Sequence, residues 1–81
     1  VISENVTVGE GSVIENSIIM RDTVIGKNVH INYGIVDESV TIEDDAVIGD
    51  ENSCKDKIAL IGRGCVIAKG VRVQSGKIVE K

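Results

Sequence analysis

Proline, phenylalanine and tryptophan are absent from this 81-residue chain, and Tyr33 is its one aromatic residue. A core without rings has to be filled by aliphatic side chains. Apolar residues make up 42% of the chain, so the material is there, and Val and Ile carry most of it. β-Branched side chains favour strands. Helical packing wants more Leu and Ala than this chain has, so no long helix is expected. Basic charge is scarce as well. The net charge is −4 and the pI is near 4.8, whereas nucleic acid binding needs a basic stripe. Lys and Arg are scattered and alternate with acids. No apolar run approaches membrane-spanning length, and no signal-peptide pattern opens the chain. Neither nucleic acid nor a membrane is therefore expected as a partner.

The two cysteines, Cys54 and Cys65, match no metal spacing. Reduced thiols in a cytoplasmic protein are the plainer expectation, with a disulfide as the alternative. Cys65 falls four residues after Ile61, where other repeats carry small or aliphatic residues, and is expected to pack inward.

What the chain does have is a period. Ile or Val recurs every seventeen residues along three tracks: Ile2, Ile19 and Val36; Val8, Ile25 and Ile42; Ile14, Ile31 and Ile48. Successive track residues are spaced six, six and five apart, and after a break Ile61, Ile67, Val73 and Ile78 restart that rhythm. Hexapeptide self-similarity marks a parallel β-helix, in which each repeat stacks on the next because it cannot bury its apolar face alone. Eighty-one residues form a small domain with a marginal globular core, and a stacked prism eases that limit by extending one narrow core. About four triangular coils are expected. At ~4.8 Å per coil the rod is on the order of 20 Å long.

Counting the track residue as the first of each hexad, the fourth place reads Asn5, Gly11, Ser17, Asp22, Asn28, Gly34, Ser39, Asp45, Glu51, Gly64, Gly70 and Gly76. All but Glu51 are residues that tolerate a left-handed backbone or form local turn hydrogen bonds, as a corner requires. The fifth place reads Val6, Ser12, Ile18, Thr23, Val29, Ile35, Val40, Ala46, Asn52, Cys65, Val71 and Lys77. It is mostly small or branched, and a second inward site beside each corner is expected there. Asn52 and Lys77 are exceptions.

Residues 50–60, DENSCKDKIAL, interrupt the rhythm. The interruption implies an eight-residue excursion from one corner, dividing one domain (residues 1–81) into coils at 1–50, a loop at 50–60 and a final coil at 61–81. Two readings of the loop stand. It is a plain exposed loop, or Ile58 and Leu60 form an outward apolar contact that pins it to something. The chain opens on Val1 and enters the repeat within two residues, which suggests a fragment of a longer protein.

The hexads VGEGSV, IGKNVH, IGRGCV and IAKGVR resemble the left-handed hexapeptide-repeat β-helix. The left hand is an implication of that resemblance, since parallel crossovers are ordinarily right-handed. The run VGEGSVIENSIIMRDTVIGKNVHI, then VTIEDDAVIGDENS, a polar loop and IALIGRGCVIAKGVRV look like the C-terminal domain of the glucose-1-phosphate adenylyltransferase (ADP-glucose pyrophosphorylase) family. The resemblance spans nearly the whole chain. It implies a preceding catalytic domain that joins glucose 1-phosphate to ATP with Mg²⁺, releasing pyrophosphate and supplying ADP-glucose for glycogen or starch synthesis. The β-helix then supports contacts in a homo- or hetero-oligomer and frames an allosteric site. The Gly-rich nucleotide loop, metal-binding acid and sugar-phosphate lysine of the family have no counterpart here. No catalytic, cofactor-binding or metal-binding residue is therefore assigned to this chain.

Relatives of this fold include acyltransferases that use a histidine as general base. His30 is the one histidine and sits at an outward sixth place, so an exposed structural role is expected. One histidine cannot supply a three-histidine metal site. The acids Asp37, Glu38, Glu43, Asp44, Asp45, Asp50 and Glu51 fall mostly at corners and outward positions, without the glycine-rich calcium nonapeptide. Lys27 and His30 lie where activator-sensitive relatives can carry arginines, but Asn32 and Tyr33 follow here, which weakens that carry-over. Arg63 and Arg72 lie beyond the loop and could face a partner. The leading reading is a regulatory and assembly domain, inert alone. A hexapeptide-repeat acyltransferase and a non-enzymatic scaffold are the alternatives.

Overall fold

The computed structural model describes residues 1–81 and contains twelve short strands and no helix. Strands are numbered in chain order, and every third one returns to the same face. The first sheet stacks β1 (Thr7–Val8), β4 (Val24–Ile25), β7 (Thr41–Ile42) and β10 (Val66–Ile67). The second stacks β2 (Val13–Glu15), β5 (His30–Asn32), β8 (Val47–Ile48) and β11 (Arg72–Val73). The third stacks β3 (Ile18–Ile19), β6 (Gly34–Val36), β9 (Ala59–Ile61) and β12 (Ile78–Val79). All pairings are parallel. The three sheets are the faces of a prism, and the molecule measures 28 × 22 × 21 Å.

The seventeen-residue period is the stacking register itself. Ile25 pairs with Val8 and Ile42, Ile31 with Ile14 and Ile48, and Ile19 with Val36. Ile19, Ile25, Ile31, Val36, Ile42, Ile48 and Ile61 are each no more than 1% exposed. Burial of each such side chain contributes about 1.5–3 kcal/mol before the chain entropy is counted. The backbone closes the gap between coils: the amides of Gly9 and Gly26 donate to the carbonyls of Ile25 and Ile42, each at 2.8 Å.

The fifth-place residues Thr23, Val29, Val40, Ala46 and Cys65 are buried as expected. The five-residue sides differ. There the corner comes one place early, at Asn16 (φ 49°) and Tyr33 (φ 51°), not at Ser17 and Gly34. The next residue therefore turns inward. Ser17, Gly34 and Ala59 form the small inward ladder of the third sheet, and Ile18 and Ile35, expected inside, point outward. Gly34 is tightly enclosed. A Cβ there would sit 3.1 and 3.2 Å from the Cγ2 atoms of Ile31 and Ile48. The Ser17 hydroxyl is satisfied, donating to the Glu15 carbonyl at 2.6 Å and accepting the Gly34 amide at 3.0 Å.

Two boundaries also move. The excursion does add eight residues, because Val36 stacks on Ile61, but Ala59 and Leu60 already belong to β9, so the strand resumes before residue 61. The fourth coil carries six residues on its last side. Val79, not Ile78, stacks on Ile61, and Ile78 faces outward. Its corner, Gly76 (φ 75°), keeps the full-length fourth place, which is why the shortened spacing fails there. The corner at Glu51 is likewise replaced by Gly49 (φ 95°).

Candidate functional site

The excursion after β8 meets the last corner and makes two shallow polar grooves. One, of about 590 Å³, is lined by Asp50, Asn52, Asp56, Lys57, Ile58, Gln74, Ser75 and Gly76. The other shares Asp50 and Asn52 and adds Arg72 and Lys77. Asp50 organises both. Its Oδ1 accepts the Asn52 amide at 2.8 Å, its Oδ2 accepts the Ser75 amide at 3.2 Å, and its own amide donates to Ser53 Oγ at 2.8 Å. The Ser75 amide first, then that of Asn52, holds the carboxyl below its ordinary value, because both bonds favour the charged form. Both carboxylate oxygens are thus engaged with the backbone, and the group ties the loop to the last coil. Reading Asp50 as one of several solvated corner acids missed this tie. The available signal was Asp50 followed by Asn52 and Ser53, a pattern suited to a local side-chain turn.

Other acids bind between coils in the same way. Asp22 Oδ1 accepts Asn5 Nδ2 at 2.6 Å, Asp44 Oδ1 accepts the Lys27 amide at 2.8 Å, and Glu43 Oε1 accepts the Lys69 amide at 3.2 Å. No three His, Cys, Asp or Glu side chains converge in a metal-holding group.

His30 lies on the outer face of β5, in register between Val13 and Val47. Neither neighbour offers the acid or nucleophile that a catalytic base works with. Lys27 sits at the preceding corner. Arg63 is committed elsewhere: its guanidinium donates to Glu38 Oε1 at 2.8 Å, while Arg21 Nε donates to Glu38 Oε2 at 3.0 Å. Glu38 so bridges the coils on either side, and its hydrogen bond and charge raise the Arg63 pKa. Exposed pairs of this kind contribute little to stability. Arg72 projects from the outer face of β11 beside Val47. The structure does not bring these cations together into one anion site. Both cysteines are free, and buried Cys65 directs its thiol toward the Val79 carbonyl at 3.8 Å.

The fold and its side chains define a hexapeptide-repeat protein: all-β, with three parallel sheets of four strands each, consistent with a left-handed parallel β-helix. The model of the GlmU-like C-terminal hexapeptide family matches residues 1–61, and the chain belongs to that family. It is also similar to the glucose-1-phosphate adenylyltransferase of Desulforamulus reducens, with 34% identity over 82 residues. That match covers 100% of this chain and 20% of the relative. The enzymes of the same name from Bacillus thuringiensis strain Al Hakam and Bacillus mycoides are each 41% identical over 64 residues, covering 79% of this chain and 17% of theirs. The chain thus spans about a fifth of the length of these relatives. No solved structure matches it. No helix is long and apolar enough to cross a membrane.

Proposed function

We propose that this chain is the non-catalytic β-helix module of a cytoplasmic nucleotidyltransferase that makes ADP-glucose from ATP and glucose 1-phosphate for glycogen synthesis. In that setting it packs against the catalytic domain, joins subunits and frames the regulatory region. The observation that carries the reading is the match of the entire chain to one fifth of a glucose-1-phosphate adenylyltransferase. The chemistry of the side chains supports it. Asp44 and Asp50 are spent on backbone amides, Arg63 on Glu38, and His30 stands among valines. ATP and Mg²⁺ belong, on this reading, to the catalytic domain.

The purified chain is expected to form no ADP-glucose from ATP and glucose 1-phosphate, and to give no heat of ATP binding in calorimetry. Turnover that follows the concentration of the chain would overturn the reading, because no residue here is assigned to that chemistry.

A further inference from the structure

The outer faces of the three sheets are not alike. In register, the first carries Thr7, Val24, Thr41 and Val66, and the second Val13, His30, Val47 and Arg72. The third carries Ile18, Ile35, Leu60 and Ile78, an unbroken aliphatic ladder from the first coil to the last. Three of these rungs are 41%, 36% and 59% exposed (Ile18, Leu60 and Ile78). Strand propensity accounts for scattered exposed Val and Ile. It does not account for four aliphatic rungs on one face, one of them the unbranched-at-Cβ Leu60.

Charge is also segregated along the prism axis, although Lys and Arg read as scattered in sequence. Residues 1–53 hold 11 acidic and 2 basic side chains, and residues 54–81 hold 2 acidic and 7 basic. Because the coils stack in chain order, one end of the prism is acidic and the other basic.

We propose that the third sheet packs face to face, in antiparallel fashion, on the same sheet of a second copy of this chain. A two-fold contact requires that if one residue meets a second, the second meets the first. The ladder meets that condition when Ile18 lies opposite the partner's Ile78 and Ile35 opposite the partner's Leu60. The antiparallel sense places the basic end of each copy over the acidic end of the other, and a parallel sense places like on like. Four rungs at ~4.8 Å span about 15 Å, so the contact lies at the small end of specific interfaces. It is therefore reversible, and rising salt weakens it. This deepens the assembly role proposed above and rests on it.

Sedimentation equilibrium of the 81-residue chain, from roughly 10 µM to 1 mM in low salt, tests the proposal across the range of a small interface. The expected result is a monomer–dimer equilibrium weakened by added salt. Leu60→Lys should weaken it more than about tenfold with an unchanged circular dichroism spectrum, because that side chain faces outward. Val71→Lys, at the open end of the last coil, should leave it unchanged. A strict monomer throughout would overturn both the face and self-association of this module. Association that survives Leu60→Lys but is lost in Val71→Lys, or that grows beyond a dimer, would overturn the face and leave assembly standing through head-to-tail stacking.

Discussion

Ile42→Asp should leave the chain unfolded at 25 °C. Ile42 is 1% exposed and lies in register between Ile25 below and Ile67 above. Replacing it removes about 1.5–3 kcal/mol of apolar burial and puts a carboxylate where no polar partner exists. An unpaired buried charge costs several kcal/mol more or forces the group to stay protonated. An 81-residue domain has on the order of 4–12 kcal/mol in all, so the sum is comparable to the whole stability. Far-UV circular dichroism and urea titration should show no cooperative transition. Ile31→Asp, 1% exposed on the second sheet, should behave alike. Glu43→Gln, one residue along and exposed, should stay within about 0.5 kcal/mol of the parent. A cooperative transition of near-parental midpoint in Ile42→Asp would mean that this track is not the core.

The second large effect involves no buried side chain. Gly26→Ala should cost about 3 kcal/mol, the upper end of overpacking, because the coils touch there. A Cβ at position 26 would lie 2.8 Å from the Asp44 backbone nitrogen and 3.1 Å from the Glu43 carbonyl carbon, and would meet the Asp44 carboxylate that accepts the Lys27 amide. Relief requires prying the second coil from the third, and hydrogen bonds on both sides resist it. Gly70→Ala is the contrast. Gly70 has φ 73° and no atom within 4 Å of the added Cβ, so the loss is the backbone term alone, about 1–2 kcal/mol. Urea midpoints of the two variants separate close approach from left-handed strain. Equal losses would contradict that division.

Much of the fold was legible in the sequence because both of its determinants are one-residue signals. A buried Val or Ile marks each face, and a turn-forming residue marks each corner. The reading fails where chain length changes between corners. On the short sides the corner moves to Asn16 and Tyr33, and a tyrosine at positive φ is not a turn signal that composition suggests. Its carbonyl accepts the Ala59 amide at 3.0 Å and its amide donates to Glu15 at 3.3 Å, so neighbouring coils hold it there. Ile78 misled for a related reason: Ile78 and Val79 are both aliphatic, and only Gly76 at the fourth place distinguishes a full turn from a short one.

The candidate site was less legible. Asp50 stands out only when Ser75, twenty-five residues further on, is brought beside it. The aliphatic ladder was hidden because Ile18, Ile35 and Ile78 read as inward positions and Leu60 as part of the loop. The strand register brings all four onto a single face. The charge segregation can be counted along the chain, but only the stacking of coils in order turns it into two ends of a prism.

The proposal that these residues form the hexapeptide module of a larger adenylyltransferase is tested most directly by a chimera. The segment of the Desulforamulus reducens enzyme that matches this chain is replaced by residues 1–81, and ADP-glucose synthesis is measured beside the parent and a version lacking the segment. The chimera is expected to retain synthesis well above the segment-less enzyme, and Ile42→Asp within it to abolish the gain. A chimera that folds, with the β-helix spectrum intact, yet is no more active than the segment-less enzyme would contradict it.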